Sequence, residues 1–295
     1  MSAETTGVIH DLGYQPYEGD RLGRLAIVRT LHIYSLRAAF GLGRGARAKI
    51  IPVSAFAVMC APALASAYIV ARGGSRAFSY DTYAFQVRVL VMTIFVAAQA
   101  PELVSRDLRS RVLPLYFARP MRRGDYPLAK LTALTTACLA MIEIPLLVLY
   151  LGTVASAHSG GAVWAETRAL VPGLAIGALW AVVLAAVALA LASLSGRRAY
   201  ATGAVAIFLF LSFTLSEILI AVGRGPGLPA TGSPLGGLVS PFTLLDGVRR
   251  WLGGTSPGPV PDLGAYGPAY GLVLLALLAA CFAMLAARYR TADAT

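Results

Sequence analysis

Long apolar stretches recur along the chain and are separated by shorter polar ones. A helix needs about 20 mostly apolar residues to cross the hydrocarbon core of a bilayer. Six stretches reach that length, and soluble domains do not repeat such a pattern. The chain is therefore expected to be an all-α polytopic membrane protein with six transmembrane helices. The predicted spans cover residues 50–71, 83–101, 130–154, 169–194, 199–222 and 265–287.

The second predicted span is the least apolar of the six. Arg88 lies near one of its ends and Gln99 near the other, which leaves only a short uninterrupted apolar core. Charged and amide side chains within a span usually face protein or water rather than lipid. The span is therefore either short, or it turns its polar ends toward other helices.

An N-terminal arm of residues 1–48 precedes the membrane domain, which is predicted to cover residues 49–290. Within the arm a helix is predicted over residues 21–37. Its apolar residues are spread too widely around the helix to form one clean face. We expect this helix to lie at the membrane interface, with its arginine side chains reaching toward water.

The segment between the second and third spans carries an amphipathic pattern. Val104, Leu108, Val112 and Leu115 recur at intervals of three to four residues, with charged residues off that stripe. Such spacing predicts a helix with one apolar face, and the Arg-Pro pair at 119–120 ends it. Two interpretations stay open: a charged loop solvated beside the lipid, or a helix that docks onto another protein.

A further short helix is predicted just before the last span. Ser240 and Pro241 form an N-cap and first-turn pair, and the glycine pair at 253–254 closes the helix. An apolar stripe runs along it, with Asp246 and Arg249 elsewhere on its circumference. The helix either lies on the outer membrane surface or re-enters the membrane and lines an exit path.

Composition supports a membrane protein, and the distribution of charge predicts its orientation in the membrane. Hydrophobic residues make up 57% of the chain and charged residues 13%, against roughly 25% charged residues in soluble domains. About 18 of the 25 Lys and Arg residues fall on the N-terminal arm and on the other segments of the same side, the pattern of cytoplasmic loops. Both termini are therefore expected in the cytoplasm, with the protein in contact with membrane lipid. The net charge of +11 follows the topology, so we expect no nucleic-acid binding.

The sequence lacks several signatures of chemistry. It contains no G-x-x-x-x-G-K-[ST] phosphate loop, no histidine within a predicted span and no Cys, His and carboxylate spacing that suits a metal. We therefore expect no cofactor on this chain and no catalysis by it.

Two carboxylates lie within predicted spans. Glu143 is near the middle of the third span, two residues before Pro145, and Glu217 is in the outer half of the fifth. An ionised group at mid-bilayer costs several kcal/mol unless it faces protein, a cavity or water. Both are candidate pathway residues for a cation or a proton. The alternative is structural: for Glu143, a carboxyl group that satisfies backbone groups freed by Pro145.

The segment after the second span carries an E-x-x-x-R-D-x-R stretch that continues through L-P-L-Y, R-P and D-Y elements. The residues of this motif are Glu102, Arg106, Asp107, Arg109, Leu113, Pro114, Leu115, Tyr116, Arg119, Pro120, Arg123, Asp125, Tyr126 and Lys130. The motif resembles the signature region of the permeases of type-2 ATP-binding-cassette (ABC) exporters. The stretches 11–24 and 240–252 also look like actinobacterial-style members of that family, and this resemblance implies a bacterial inner (plasma) membrane.

The resemblance implies a specific assembly. Two permeases, either identical copies or this chain with a sister permease, pair with two separate ATPase subunits that bind ATP and Mg. The N-terminal helix and the loop after the second span are then the contacts to the ATPase, and the short helices before the sixth span shape the outer end of the pathway. The implied coupling residues are Val104, Arg106, Asp107, Leu108, Arg109, Val112, Tyr116, Arg119, Pro120, Asp125 and Tyr126.

Two other functions stay open on the residues alone. The chain could be a proton-coupled secondary transporter that uses Glu143 and Glu217, or a membrane anchor or assembly protein that transports nothing. The sequence does not identify a substrate.

Overall fold

The computed structural model describes residues 19, 23–83, 85–110, 112, 114, 116, 121–223, 232–254, 258–261 and 263–290. Within these residues the regular structure is helical, and no β-strand occurs. The helices are α1 (Arg24–Ala39), α2 (Ala46–Ala71), α3 (Phe85–Arg109), α4 (Asp125–Ala155), α5 (Gly160–Ser193), α6 (Arg198–Gly223), α7 (Gly232–Gly236), α8 (Pro241–Trp251), a 3₁₀ turn (Gly264–Tyr266) and α9 (Gly267–Arg290).

Six of the described helices, α2 to α6 and α9, are long and apolar enough to cross a membrane. This confirms the predicted all-α polytopic fold. The helices extend beyond the predicted spans: α5 has 34 residues, about 51 Å at 1.5 Å per residue, against a hydrocarbon core of about 30 Å. Likewise, α3 continues without a break to Arg109. The first part of the predicted coupling helix is therefore the end of the second span itself.

Helices α3 and α5 form the centre of the bundle. The most apolar window of α3 is 83% buried and that of α5 is 67% buried, whereas those of α2, α6 and α9 are 28% or less. Along α5, six alanines from Ala181 to Ala192 are buried, and small residues let neighbouring helix backbones approach closely. The outer helices keep wide apolar faces, as expected of helices in contact with lipid.

The central position of α3 explains its polar residues. Arg88 and Gln99 are both buried inside the bundle, and the guanidinium carbon of Arg88 lies 4.4 Å from the centre of the Trp180 ring. Of the two interpretations of the second span, the structure supports the one in which polar ends face protein.

The bundle has two distinct ends. At the first, which we call the basic end, lie α1, the end of α3, the start of α4, the turn at 194–197 and the end of α9. At the second, the loop end, lie residues 72–83, the turn at 156–159 and α8. Because six helices span the bundle, Arg24 and Arg290 both lie at the basic end.

Helix α8 is inserted into the loop end rather than laid on its surface. The hydroxyl oxygen of Ser240 accepts the backbone N–H of Phe242 and caps the helix, and every residue from Pro241 to Arg249 is buried. The helix packs against α5, α6 and α9. Gly247 makes the close approach to α9 possible, because a side chain there would collide with the Tyr270 ring. Helix α8 is therefore enclosed by other parts of the chain at the loop end, and whether it lies at the outer membrane surface or lines an exit path stays open.

Candidate functional site

Helix α1 is held to the start of α4 by a two-pronged ion pair. The Arg24 guanidinium donates from Nε and Nη2 to the two carboxylate oxygens of Asp125, at 2.6 and 2.5 Å. Asp125 also accepts the backbone N–H of Arg122 at 2.8 Å. Its negative charge in the first turn of α4 complements the positive end of the helix dipole. These hydrogen bonds to Asp125 raise the pKa of Arg24.

A buried contact joins the end of α3 to the first turns of α4. The ammonium group of Lys130 lies 2.9 Å from the Asp107 carboxylate, and the Tyr126 hydroxyl donates to the same oxygen at 2.7 Å. The Lys130 side chain is only 3% exposed. A buried ammonium depends on its counter-ion, so Asp107 fixes how α3 and α4 sit against each other.

Glu102 forms ion pairs with arginines from three parts of the chain. Its carboxylate is almost fully buried and contacts Arg44 before α2 at 2.8 Å, Arg106 on α3 at 3.3 Å and Arg198 at the start of α6 at 3.0 Å. Close by, the Ser105 hydroxyl donates to the carbonyl of Ala192 at 3.1 Å. Glu102 and its neighbours therefore tie α2, α3, α5 and α6 together at the basic end.

An aromatic stack completes the basic end. The Tyr126 ring centre lies 5.5 Å from that of Tyr116 and 5.2 Å from that of Tyr289, which are ordinary separations for attractive aromatic pairs. Tyr289 belongs to the last turns of α9, so the stack joins the end of the last span to the start of α4.

The predicted coupling residues divide between the interior and the surface. Val104, Asp125 and Tyr126 are buried within the chain, and Asp107, Leu108, Val112 and Tyr116 are half-buried. Arg106 and Arg109 are exposed. The apolar stripe thus faces partly inward, and the acidic residues of the motif pair with bases of the same chain. Arg119, Pro120, Leu113 and Leu115 lie outside the described residues, and the coupling role stays a prediction.

Two open clefts flank the contact between α1 and the end of α3. The first, the arginine cleft, has a volume of about 890 Å³. The second, the mixed cleft, has a volume of about 660 Å³ and an apolar wall. The arginine cleft is lined by Arg37, Arg44, Arg106, Arg109, Arg198 and Glu102 among others. The charged residues of the mixed cleft are Glu102, Arg106, Asp107 and Lys130, and its apolar ones include Leu31, Val112 and Met121.

The two intramembrane carboxylates lie on different helices. Glu143 on α4 packs against Gly177 of α5, where a side chain would collide with its carboxyl group. Both Glu143 oxygens are buried without a hydrogen-bond partner. Glu217 on α6 is half-buried. The adjacent Ser216 hydroxyl contacts the Thr243 hydroxyl at 2.7 Å and joins α6 to α8.

A buried ionic network at the loop end was not predicted from the sequence. Arg249 donates to Asp246 on its own helix at 2.8 to 3.0 Å and to Asp81 of the 72–83 segment at 2.8 Å. Asp246 also accepts the backbone N–H of Val260 at 3.2 Å. The sequence feature that could have indicated this network is the acid and base at positions i and i+3, Asp246 and Arg249, followed by a glycine-rich stretch. That pattern is equally common on exposed helices, where such pairs contribute little.

The 72–83 segment is fixed to the bundle by a second polar group. The Tyr80 hydroxyl donates to Glu166 at 2.6 Å and contacts the Thr153 hydroxyl at 2.8 Å, and Arg76 pairs with the same Glu166. Burial, reinforced by the bond to Glu166, raises the pKa of Tyr80 to about 12. The loop end is therefore held by ionic contacts on both sides of the segment.

Within the described residues, no group of three or more His, Cys, Asp or Glu side chains could hold a metal ion. No protein-family model matches the chain, and a search of curated proteins finds no match.

Proposed function

We propose that this chain is the membrane-spanning permease subunit of an ATP-driven exporter. In this proposal two permeases form the translocation pathway, and separate ATPase subunits drive it from the basic end. The motif shared with type-2 ABC permeases and the six membrane-spanning helices support the proposal. Outside these six helices, the described chain consists of α1, the short helices α7 and α8, a 3₁₀ turn and connecting segments. The proposal assigns ATP hydrolysis to a partner.

The observation that carries the proposal is the convergence of two distant sequence segments at the basic end. Helix α1 and the segment that starts at Glu102 are the two expected ATPase contacts. The Arg24–Asp125 ion pair joins α1 to this segment across 101 positions. Between them lies the mixed cleft, with two acidic and two basic side chains beside an apolar wall. A cleft of this character suits a helix or loop of a protein partner.

A force applied at the mixed cleft has a direct route through the bundle. Helix α3 is continuous over 25 residues, about 37 Å at 1.5 Å per residue. It is fixed to α4 by Asp107 at one end and carries Arg88 near the other. Partner ATPases that bind one arrangement of α1 and α3 more tightly than another would shift the population of the two states.

In this proposal the basic end faces the cytoplasm of a bacterium and the loop end faces outward. The excess of Lys and Arg at the basic end supports this orientation. It also puts the mixed cleft on the side where ATP is available.

A second candidate, a proton-coupled carrier, is favoured by one observation. The Glu143 carboxyl group is buried without a hydrogen-bond partner, as expected of a group that exchanges a proton rather than a static structural one. The two candidates differ in whether an ATPase accompanies the chain.

Affinity purification from the native membrane, followed by mass spectrometry of the intact complex, tests the proposal. We expect an ATP-binding protein in stoichiometric amount. Val112→Asp, which places a charge in the apolar wall of the mixed cleft, should lower its recovery at least tenfold, a typical effect for a buried interface anchor. Leu194→Asp is the matched control, because Leu194 is exposed at the same end and lines neither cleft. Absence of any ATP-binding protein from the wild-type complex would refute the proposal.

A further inference from the structure

The arginine cleft carries much more positive charge than its own carboxylate can balance. Among the described residues, five arginines and one acid, Glu102, line it, which leaves an excess of four positive charges. Three of the arginines, at positions 44, 106 and 198, share Glu102. The other two, Arg37 and Arg109, are exposed and form no ion pair within the part of the chain that the structure describes. They come from different elements, the last turn of α1 and the last turn of α3.

This charge lies where the bundle enters the bilayer. Exposed large apolar residues of α2 begin at Ile50, about 6 Å along the helix axis from Ala46, its first residue, at 1.5 Å per residue. Arg44 precedes Ala46 by two residues. On α6, the exposed Tyr200 follows Arg198 by two residues, and tyrosine is enriched at the membrane interface. The positions of these residues lead us to expect the cleft at the depth of lipid headgroups.

One wall of the same cleft is apolar and exposed. Ile33 and Tyr34 of α1 and Leu42 after it line the cleft, and each is more than 40% exposed. A soluble anion has no apolar part that could pack on this wall, whereas the glycerol backbone and first acyl carbons of a lipid could. The combination of uncompensated arginines and an apolar wall at headgroup depth distinguishes a lipid site from a solvated charged loop.

We propose that the arginine cleft binds the phosphate headgroup of an anionic phospholipid. Arg37 and Arg109 hold the phosphodiester from two sides, because guanidinium groups pair with phosphate through parallel hydrogen bonds. The acyl chains run along Ile33 and Tyr34 toward the exposed face of α2. The bound lipid would thereby connect α1 to the end of α3, the two elements that border the mixed cleft. An acidic segment of a protein partner is the competing occupant, and the apolar wall at headgroup depth disfavours it.

The test is a lipid titration of the full-length protein in detergent, followed by native mass spectrometry. We expect phosphatidylglycerol to bind in preference to phosphatidylcholine. Arg37→Gln/Arg109→Gln should weaken phosphatidylglycerol binding by roughly tenfold or more, since each juxtamembrane arginine contributes substantially to attraction by anionic lipid. Arg37→Lys/Arg109→Lys keeps both charges but cannot form the parallel hydrogen bonds of a guanidinium group, so it should restore only part of the binding. Equal thermal unfolding of the variants without lipid would establish that they are folded.

The charge-matched control is Arg29→Gln/Arg47→Gln. Both residues are exposed at the same end of the chain, and neither lines the arginine cleft. An equal loss of binding in this control would mean that only overall charge matters and would overturn the site. The proposal would also be overturned if the two lipids bound equally well and inorganic phosphate abolished the binding of both.

Unchanged phosphatidylglycerol binding in Arg37→Gln/Arg109→Gln would also contradict the proposal. Arg109 is itself an expected ATPase contact, so recovery of an ATP-binding protein is not a readout for this lipid site. The titration contains no ATPase. Its failure therefore leaves the proposed transport function untouched, and the absence of an ATPase leaves the lipid site untouched.

Discussion

Single acidic side chains in this protein differ most in whether they form a hydrogen bond or an ion pair. Asp107, Glu102 and Asp246 each contact at least one Lys or Arg at 2.8 to 3.3 Å. The two Glu143 carboxylate oxygens are buried and have no hydrogen-bond partner, although the charge of Arg88 lies nearby. The first three hold elements together, whereas Glu143 adds an unsatisfied polar group to the interface of α4 and α5.

The replacement Glu143→Leu is expected to stabilise the fold by about 1 kcal/mol, because it removes a buried polar group that bonds to nothing. The neighbouring Arg88 would keep the nearby negative charges of Asp246 and Asp81. Thermal unfolding in detergent measures the effect, with Glu143→Gln as the size-matched control that keeps a polar group. A clear loss of stability in Glu143→Leu would mean that the carboxyl group has a partner in the protein in solution.

Transport measurements on the same variants separate the two roles left open for Glu143. If the residue contacts a cation or proton in the pathway, Glu143→Gln should alter transport while assembly with the ATPase is kept. Unchanged transport in Glu143→Gln would remove Glu143 from the pathway.

Elements differ in how far the sequence alone could define them. The six spans depend on local apolar content, so their number and approximate limits could be predicted. The burial of α8 could not, because it depends on Gly247 meeting Tyr270 and on Arg249 meeting Asp81, contacts between residues far apart in the chain. For the same reason, Asp107 and Glu102 could be recognised as motif residues, but their partners Lys130 and Arg198 could not be assigned.

The close packing of α8 on α9 predicts a cost for any side chain at position 247. Gly247→Ala should destabilise the protein by about 2 kcal/mol, since its methyl group would overlap the Tyr270 ring and force a shift of a tightly packed helix. Chemical or thermal unfolding measures this loss. Gly203→Ala on α6 is the control: nothing lies within 4 Å of the new methyl group, and alanine favours a helix over glycine by roughly 1 kcal/mol. A neutral Gly247→Ala would mean that α8 sits less deeply than described.

For the molecule as a whole, the geometry fixes which segments share an end, and the basic residues predict which end faces the cytoplasm. Ser110 lies at the basic end and Ser159 at the loop end, and both are exposed. In a background with Cys60, Cys138 and Cys281 replaced, a cysteine at 159 should react with an impermeant maleimide on intact cells. A cysteine at 110 should react only after the cells are opened. Reversed labelling would put the mixed cleft outside and exclude a cytoplasmic ATPase partner.

The central claim is that ATP hydrolysis by a partner is coupled to this chain, and the most direct test is the hydrolysis rate of the copurified complex in lipid vesicles. The partner ATPase should hydrolyse ATP faster with the wild-type chain than alone, and Val112→Asp should abolish the increase while Leu194→Asp preserves it. The rate should not respond to a proton uncoupler. A partner that hydrolyses ATP equally well without this chain would contradict the account.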